Sequence, residues 1–424
     1  MSKCWCSIIG ILDDGWAGLS GTARGRLQEA ALVVGAGRTL ALVAPHLESD
    51  CETRDMDGAL GEVAGWIRAA GGRSVVLATG DPLCNGIADF LIKRLGGEGV
   101  EVLPAPSTLQ LAFARLQRPW QAYRIASCHS ADAGEWQTGA TPDHGLYQAV
   151  RAVAEHPRVA VFTSPKNDPA RLARALLTAG FGAETRLAVA AHLALPDERL
   201  FPDLSLDEAA TMRFPEPNVV LVERDMAHRP LFGFEDDEYL QRQPDKGLIT
   251  KLEARALSLA KLGIRRDSTV WDIGAGSGAV GLEAARLACH GHVWAIEKNA
   301  ADAANARENA RRLQATNYTL VEGKAPDQLA AWPDPDAVFI GGSGGELERL
   351  IRLVLERLKP RGRLVMNFVT LENLATAGHA LASVDADWEV VQLQASRSQP
   401  ILDMHRLAAQ NPIWIISACN KRDS

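Results

Sequence analysis

The chain has 424 residues, 47% of them hydrophobic and 23% charged, a balance typical of globular proteins that excludes intrinsic disorder, a collagen-like repeat and a coiled-coil rod. At roughly 150 residues per domain, this length predicts two or three domains. Lys plus Arg number 45 against 52 Asp plus Glu, a formal charge of −7, so no general field attracts nucleic acid or an anionic membrane, and an anionic ligand must be caught by a local patch.

No apolar run reaches the ~18 residues of a membrane span, and Met1 to Ile9 lacks the segments of a signal peptide. A cytoplasmic protein with no membrane and no nucleic-acid partner is expected. The seven cysteines are scattered, and their only close pair, Cys4 and Cys6, has no zinc-site spacing. Mostly buried free thiols and no metal are therefore expected. His290 and His292, flanking Gly291, are expected in a turn.

In chain order, short apolar runs alternate with helical patterns from about Ser7 to Arg224: Leu32 to Val34, Val75 to Ala78, Val100 to Leu103, Val159 to Phe162 and Val219 to Val222. This predicts an α/β region with buried strands. Glu223 to Lys246 turns polar, with an acidic run at Glu235 to Glu238 and Pro230 and Pro244 near its ends, and reads as an exposed connector. A helix follows at Thr250 to Leu262, then strands at Val270 to Ile273, Val293 to Ile296, Tyr318 to Val321, Ala337 to Ile340, Leu364 to Phe368 and Ile413 to Ser417. These predict a second, doubly wound α/β domain. The expected division is 1–224, a connector 225–247, and 248–424.

The sharpest motif, Asp272-Ile-Gly274-Ala-Gly276-Ser-Gly278-Ala-Val-Gly281, lies between a strand and the amphipathic stretch Leu282 to Ala288. Glycines permit positive φ and close ligand approach, and the helix N-terminus offers free N–H groups. Glu297 ends the next strand, where a carboxylate can accept from both hydroxyls of a ribose. Gly276 to Gly281 also satisfies the dinucleotide fingerprint, which makes an NAD-dependent oxidoreductase the alternative. Asp272 weighs against it, since a carboxylate there repels a pyrophosphate but suits the ammonium of S-adenosylmethionine. From about Thr250 to Ser424 the arrangement resembles the class I methyltransferase family.

In that family the residues after the third strand border the adenine; here they are Glu322, Gly323, Lys324, Ala325 and Pro326. An acidic side chain often stands where this chain has Lys324, which can equally be a solvated surface lysine. After the fourth strand comes Gly341-Gly342-Ser343-Gly344-Gly345. This loop has nothing to stack a flipped base. It lets a bulky ligand lie against bare backbone at Gly342, Ser343 and Gly344, with the helix from Glu346 presenting N–H groups to anions; otherwise it is a flexible turn.

In the first half, Gly80-Asp81-Pro82 follows a strand. It is preceded by Ile8-Ile9-Gly10-Ile11 and followed by Pro104-Ala105-Pro106-Ser107-Thr108 and by Thr163 to Pro169. In this order the segments resemble the tetrapyrrole methylases over about Ser2 to Arg224. The resemblance implies a two-lobed α/β fold with S-adenosylmethionine against Gly80, Asp81, Pro82, Ser107 and Thr108. The opening Gly10-Ile-Leu-Asp13-Asp14-Gly15 departs from that family's Gly-x-Gly-Pro-Gly.

The two halves together are similar to the decarboxylating, two-domain corrin methyltransferases of cobalamin biosynthesis. That resemblance implies methylation at C-5 by the first domain and at C-15 by the second, loss of CO2 from the C-12 acetate, and two S-adenosylmethionine sites per chain. The cofactor sites are then Gly80, Asp81, Pro82, Ser107 and Thr108 in one domain, and Asp272, Gly274, Gly276, Gly278, Glu297, Gly323, Lys324 and Ala325 in the other. Methyl transfer from a sulfonium to an electron-rich ring needs positioning and desolvation above all, and the sequence names no catalytic residue. The substrate's carboxylates call for cations, with Arg255, Arg397 and Arg406 as candidates that can also be ordinary surface charges. A homo-oligomer is expected. Two alternatives stay open: a cobalt-containing substrate, or one domain acting only as a binding or oligomerisation module.

Overall fold

The computed structural model describes residues 5–84, 86–226, 229–242 and 249–421. Cys4, Pro244 and Lys246 lie outside them. Contacts divide the chain into two units: Met1–Ala131 with Arg158–Ala170 and Arg186–Arg224, and Asp132–Pro157 with Arg171–Thr185 and Asp225–Ser424.

The first unit opens with β1 (Cys6–Ile11), whose six residues are all buried. A strand covered on both faces reads as a mostly apolar run, broken here by Ser7, whose hydroxyl donates to Glu101 at 3.0 Å. It stands in a parallel sheet of order β3-β2-β4-β1-β5 with β2 (Leu32–Gly35), β3 (Glu52–Asp55), β4 (Ser74–Thr79) and β5 (Val100–Leu103). Ile11 pairs with Thr79 and Ile9 with Leu103, so the loops after β1, β4 and β5 leave the same edge. A second, mixed sheet has the order β6-β7-β10-β8-β9, from β6 (Arg124–Ser127), β7 (Arg158–Phe162), β8 (Thr185–Ala191), β9 (Arg199–Ser205) and β10 (Asn218–Arg224).

The second unit is built on a seven-stranded sheet of order β13-β12-β11-β14-β15-β19-β16. Its strands are β11 (Thr269–Ile273), β12 (His292–Glu297), β13 (Tyr318–Glu322), β14 (Ala337–Ile340), β15 (Arg363–Phe368), β16 (Asp387–Leu393) and β19 (Ile413–Cys419). The first five are parallel; β19 runs antiparallel between β15 and β16. Strand order reverses between β12 and β14, on either side of β11. In an open α/β sheet, the crevice at such a switch point is where ligands bind. A separate ribbon pairs β17 (Ser396–Ile401) with β18 (Met404–Ala409).

The doubly wound fold follows the sequence reading; the connector is exposed over most of its described residues but is anchored to the second unit at two of them. Phe234 and Tyr239 are 1% and 3% exposed and sit in a core cluster with Ile249 and Leu282. The N–H of Gly233 donates to Glu283 at 2.6 Å and the Tyr239 hydroxyl at 2.9 Å. Arg255, also fully buried, donates to Glu283 at 2.5 Å and to Asp236 at 3.2 Å. Asp236 and Glu283 together therefore neutralise a buried arginine, while Glu235, Asp237 and Glu238 stay exposed, and Arg255 is not a surface charge. Breaking a buried pair leaves an uncompensated charge, typically at a cost of about 3–5 kcal/mol. Arg255→Met should lower stability to urea by that order, and a loss below about 1 kcal/mol would contradict the pairing.

His292 is not in a turn either; it begins β12, 5% exposed. Its ring bonds the Tyr147 hydroxyl and the Thr319 hydroxyl, both at 2.8 Å, and burial lowers its pKa to about 3, which keeps it neutral. Of the described cysteines, Cys6 and Cys128 are buried, whereas the free thiols of Cys51, Cys84, Cys289 and Cys419 are half-buried. Among the described residues, no group of three or more His, Cys, Asp or Glu could hold a metal ion, and no helix is long and apolar enough to cross a membrane.

Candidate cofactor and substrate clefts

Asp272 lies near the end of β11, 1% exposed. Its Oδ2 accepts from the Gly281 N–H at 3.0 Å, while Oδ1 is buried with no partner among the described residues. Burial raises its pKa from 3.8 to about 7. Gly281 makes this placement possible: a Cβ there would lie 2.4 Å from Asp272 Oδ2 and 2.8 Å from the Tyr318 ring. The last glycine of the motif thus makes room for a carboxylate instead of a pyrophosphate.

Gly274, Gly276 and Gly278 all have positive φ, and Gly278 caps the helix Ala279–Leu287. A Cβ on Gly274 would lie 2.4 Å from the Gly342 carbonyl oxygen, so the loops after β11 and β14 touch backbone to backbone. Glu297, 7% exposed, accepts from the N–H groups of Gly276 and Asn299, each at 2.8 Å. Its carboxylate is thereby fixed at the end of β12, against the glycine loop.

These loops line an open cleft, about 440 Å³ with its solvent-open space included, whose walls include Gly274, Glu297, Gly323, Lys324, Ala325 and the stretch Gly342 to Gly344. The structure thus gathers Gly274, Glu297, Gly323 to Ala325 and Gly342 to Gly344 in one lining, while Asp272, Gly276 and Gly278 stand outside it. Lys324 is half exposed and pairs with Glu346 at 3.0 Å, bridging the loops after β13 and β14. The sequence reading missed Lys298 at the lip and Tyr318 beneath the loop. Lys298 could have been found as the residue after Glu297. Tyr318, 2% exposed with its hydroxyl unpartnered among the described residues, is revealed only by the packing.

On the other side of the fourth-strand loop is a cavity of about 1520 Å³. Gly341 and Asn367 belong to its wall, as do Lys251, Glu253, Arg397 and Gln410. Gly342 lines the first cleft and its neighbour Gly341 the second. Of the candidate arginines only Arg397 reaches this cavity, where it is held by Glu253 and Asp236; Arg406 is exposed on β18.

The first unit has its own cleft of about 1220 Å³, lined by Leu12, Asp13, Thr79, Thr108, Thr163 and Asn218 among others. Of the residues expected there, Thr108 lines it. Gly80 (φ +70°) stands behind it, where a Cβ would lie 3.2 Å from Ser107 Cα. The Ser107 hydroxyl caps the helix Thr108–Arg115, accepting from Gln110 N–H at 3.1 Å. Asp81 closes its own turn by accepting from Leu83 N–H at 2.9 Å, and buried Pro82 offers its carbonyl to Ala88 N–H at 3.0 Å. Their side chains and carbonyls thus shape the loop.

The donor set fits S-adenosylmethionine: an unpartnered buried carboxylate oxygen for the ammonium, glycines open to close approach, and a second carboxylate for the ribose. Fold and clefts define a methyltransferase built from two unlike methylase domains, and the family models agree. Residues 6–210 match tetrapyrrole (corrin/porphyrin) methylases, and residues 243–420 match the precorrin methyltransferase domain. The chain is 33% identical over 394 residues to the precorrin-6Y C(5,15)-methyltransferase (decarboxylating) of Sinorhizobium sp, covering 90% of each protein. It belongs to that family, whose members are S-adenosylmethionine-dependent methyltransferases acting on a tetrapyrrole. Its C-terminal part is 41% identical over 177 residues to the cobalt-precorrin-6B C(15)-methyltransferase (decarboxylating) of Salmonella typhimurium, covering 42% of this chain and 91% of that one. The crystal structure of precorrin-6Y C5,15-methyltransferase from Geobacter metallireducens GS-15 is 40% identical, with a TM-score of 0.44, covering 46% of this chain and 100% of that chain.

Proposed function

We propose that this chain methylates a reduced corrin precursor of the precorrin-6Y type at C-5 and C-15 and removes the C-12 acetate carboxyl as CO2, in cobalamin biosynthesis. The tetrapyrrole methylase domain (1–224) acts at C-5; the class I domain (248–424), reached through 225–247, acts at C-15 and decarboxylates. S-adenosylmethionine binds once in each domain, and when bound it supplies an electrophilic methyl group. In the class I domain, Asp272 takes the ammonium, Glu297 the ribose, and the backbone from Gly323 to Ala325 the adenine. In the other, Thr108 and the loop built on Gly80, Asp81, Pro82 and Ser107 border the cofactor.

The observation that carries this reading is that neighbouring glycines after β14 line two spaces, Gly342 the cleft at the glycine loop and Gly341 a larger cavity. A macrocycle in the cavity then reaches the cleft past the loop Gly341 to Gly345, whose one side chain beyond hydrogen is that of Ser343. Two carboxylates facing the glycine loop disfavour a pyrophosphate, and with it the NAD reading. A cytoplasmic homo-oligomer belongs to the same proposal. The β17–β18 ribbon supports association, since Leu402 is 93% and Leu407 74% exposed, and apolar patches of this kind commonly mark interfaces. Light scattering that returns a monomer mass at micromolar concentration would remove that part.

The test is to incubate the full chain and S-adenosylmethionine with metal-free and, separately, cobalt-bearing substrate, and to weigh the products. The reading expects the metal-free product to gain two methyl groups and lose one CO2. Turnover of the cobalt form alone would move the chain to the cobalt-bearing substrate, and a single methyl group would reduce it to one active domain.

A further inference from the structure

Beneath the glycine loop stand two polar atoms that the fold leaves unsatisfied. Asp272 Oδ1 and the Tyr318 hydroxyl are both buried, and among the described residues neither has a hydrogen-bond partner. A buried tyrosine hydroxyl usually finds one, and leaving it without is costly. Two such atoms against one turn of helix point to a shared task.

The sheet brings them together. Tyr318 pairs with Val293 and Val293 with Val270, while Asp272 pairs with Ala295. Alternate residues of a strand share a face, so Asp272 and Tyr318 rise from the same face of the sheet, with only the methyl group of Ala295 level with Asp272 on the strand between them. The phenol lies along the underside of the first turn of the helix Ala279–Leu287. A Cβ on Gly281 would lie 2.4 Å from Asp272 Oδ2 and 2.8 Å from Tyr318 Cε2, and one on Gly278 would lie 3.1 Å from the Tyr318 hydroxyl oxygen. Glycine at both positions admits the ring, and ring and carboxylate meet at Gly281.

We propose that Tyr318 is a positioning residue of the cofactor site, its hydroxyl donating to the Asp272 carboxylate and holding it ionised for the ammonium of S-adenosylmethionine. The inference rests on the reading that Asp272 takes that ammonium. An ionised carboxylate in the interior needs donors, and among the described residues Asp272 has one, the Gly281 N–H at 3.0 Å on Oδ2. The ammonium brings a second, and the phenol supplies a third from within the fold. Glu297 on β12 opposes ionisation of both groups and burial acts in the same direction, so the Asp272 carboxyl is pushed up and the phenol keeps its proton. Arg307, on the helix Ala300–Arg312, acts on the phenol in the opposite sense and is outweighed. Glu283, the carboxylate of the helix Ala279–Leu287, is taken up by Arg255, Tyr239 and the Gly233 N–H. A neutral phenol can donate to a carboxylate where a phenolate cannot.

The test titrates S-adenosylhomocysteine into the full parent chain, Tyr318→Phe, Asp272→Asn and the double variant, from pH 6 to pH 8. Phenylalanine keeps the ring and its packing and removes a hydroxyl that the ligand-free fold leaves unpartnered, so the variant folds, and a merely structural tyrosine predicts no change in binding. Tyr318→Phe should bind at the C-terminal site at least about fivefold more weakly at pH 7, with the N-terminal site unaffected. Its rise of affinity with pH should also move to higher pH, because binding selects the ionised carboxylate and that form has lost a donor. In the Asp272→Asn background the same change should cost less than about twofold, since residues that act through one another are not additive. If Tyr318→Phe binds as the parent does at every pH, or weakens binding equally in both backgrounds, the inference is overturned while Asp272 keeps its role. If Asp272→Asn itself binds as the parent does, the reading beneath the inference falls as well.

Discussion

Asp272→Asn should weaken S-adenosylhomocysteine binding at the C-terminal cleft by about 1–3 kcal/mol, the usual cost of losing a charged hydrogen-bond partner, and at the same time stabilise the ligand-free protein above pH 7. Both effects have one origin. Burial raises the pKa of Asp272 from 3.8 to about 7, so between these values the folded state binds a proton that the unfolded state has released. Stability linked to this group is therefore full below pH 4, declines as pH rises, and is lost above pH 7. Asparagine keeps an acceptor for the Gly281 N–H and avoids the cost of ionising a buried carboxyl, so its advantage should grow through that window and amount to a few kcal/mol. Thermal melts at pH 5 and pH 8 check the sign; a variant less stable than the parent at pH 8 would contradict it. Cofactor binding should also release a proton at pH 6, since the ammonium selects the ionised form.

Gly342→Val should abolish both C-15 methylation and CO2 release, while the N-terminal domain still methylates C-5 in substrate already processed at C-15. The neighbouring Gly344 is a poorer probe, because its φ of +59° would strain any side chain whatever the space. A Cβ at Gly342 meets only Gly274 Cα at 3.9 Å, and its backbone lies outside the left-handed region. Valine there adds bulk to the cleft side of the loop, where the reacting carbon must meet the methyl group, with little damage to the loop itself. Binding of S-adenosylhomocysteine within about threefold of the parent separates a blocked substrate from a lost cofactor site. CO2 release at the parental rate would show that the loop is a turn and not a platform.

How far the sequence could be read depended on where each residue's partners lie. Strands buried on both faces, such as Ala337–Ile340, were legible to the residue because burial demands an unbroken apolar run. β3 (ETRD) and the β17–β18 ribbon were missed because they are exposed and obey no such demand. Glu235 to Glu238 read as a solvated run, which holds for three of the four; the pairing of Asp236 was hidden because its arginine is 19 residues further on. At the site, Asp272, Glu297 and the glycines were legible because special backbone and isolated carboxylates are visible in a linear pattern. The packing role of Gly281 was not, since it depends on where Asp272 and the Tyr318 ring meet. Nor was the capping role of Ser107, which depends on where a helix begins.

The claim that both domains are working methyltransferases is met most directly by calorimetric titration of the full chain with S-adenosylhomocysteine, repeated on Asp272→Asn. Two sites per chain are expected in the parent, with only the C-terminal one weakened in the variant. A stoichiometry of one in the parent would contradict the account and leave the other domain as a binding or assembly module.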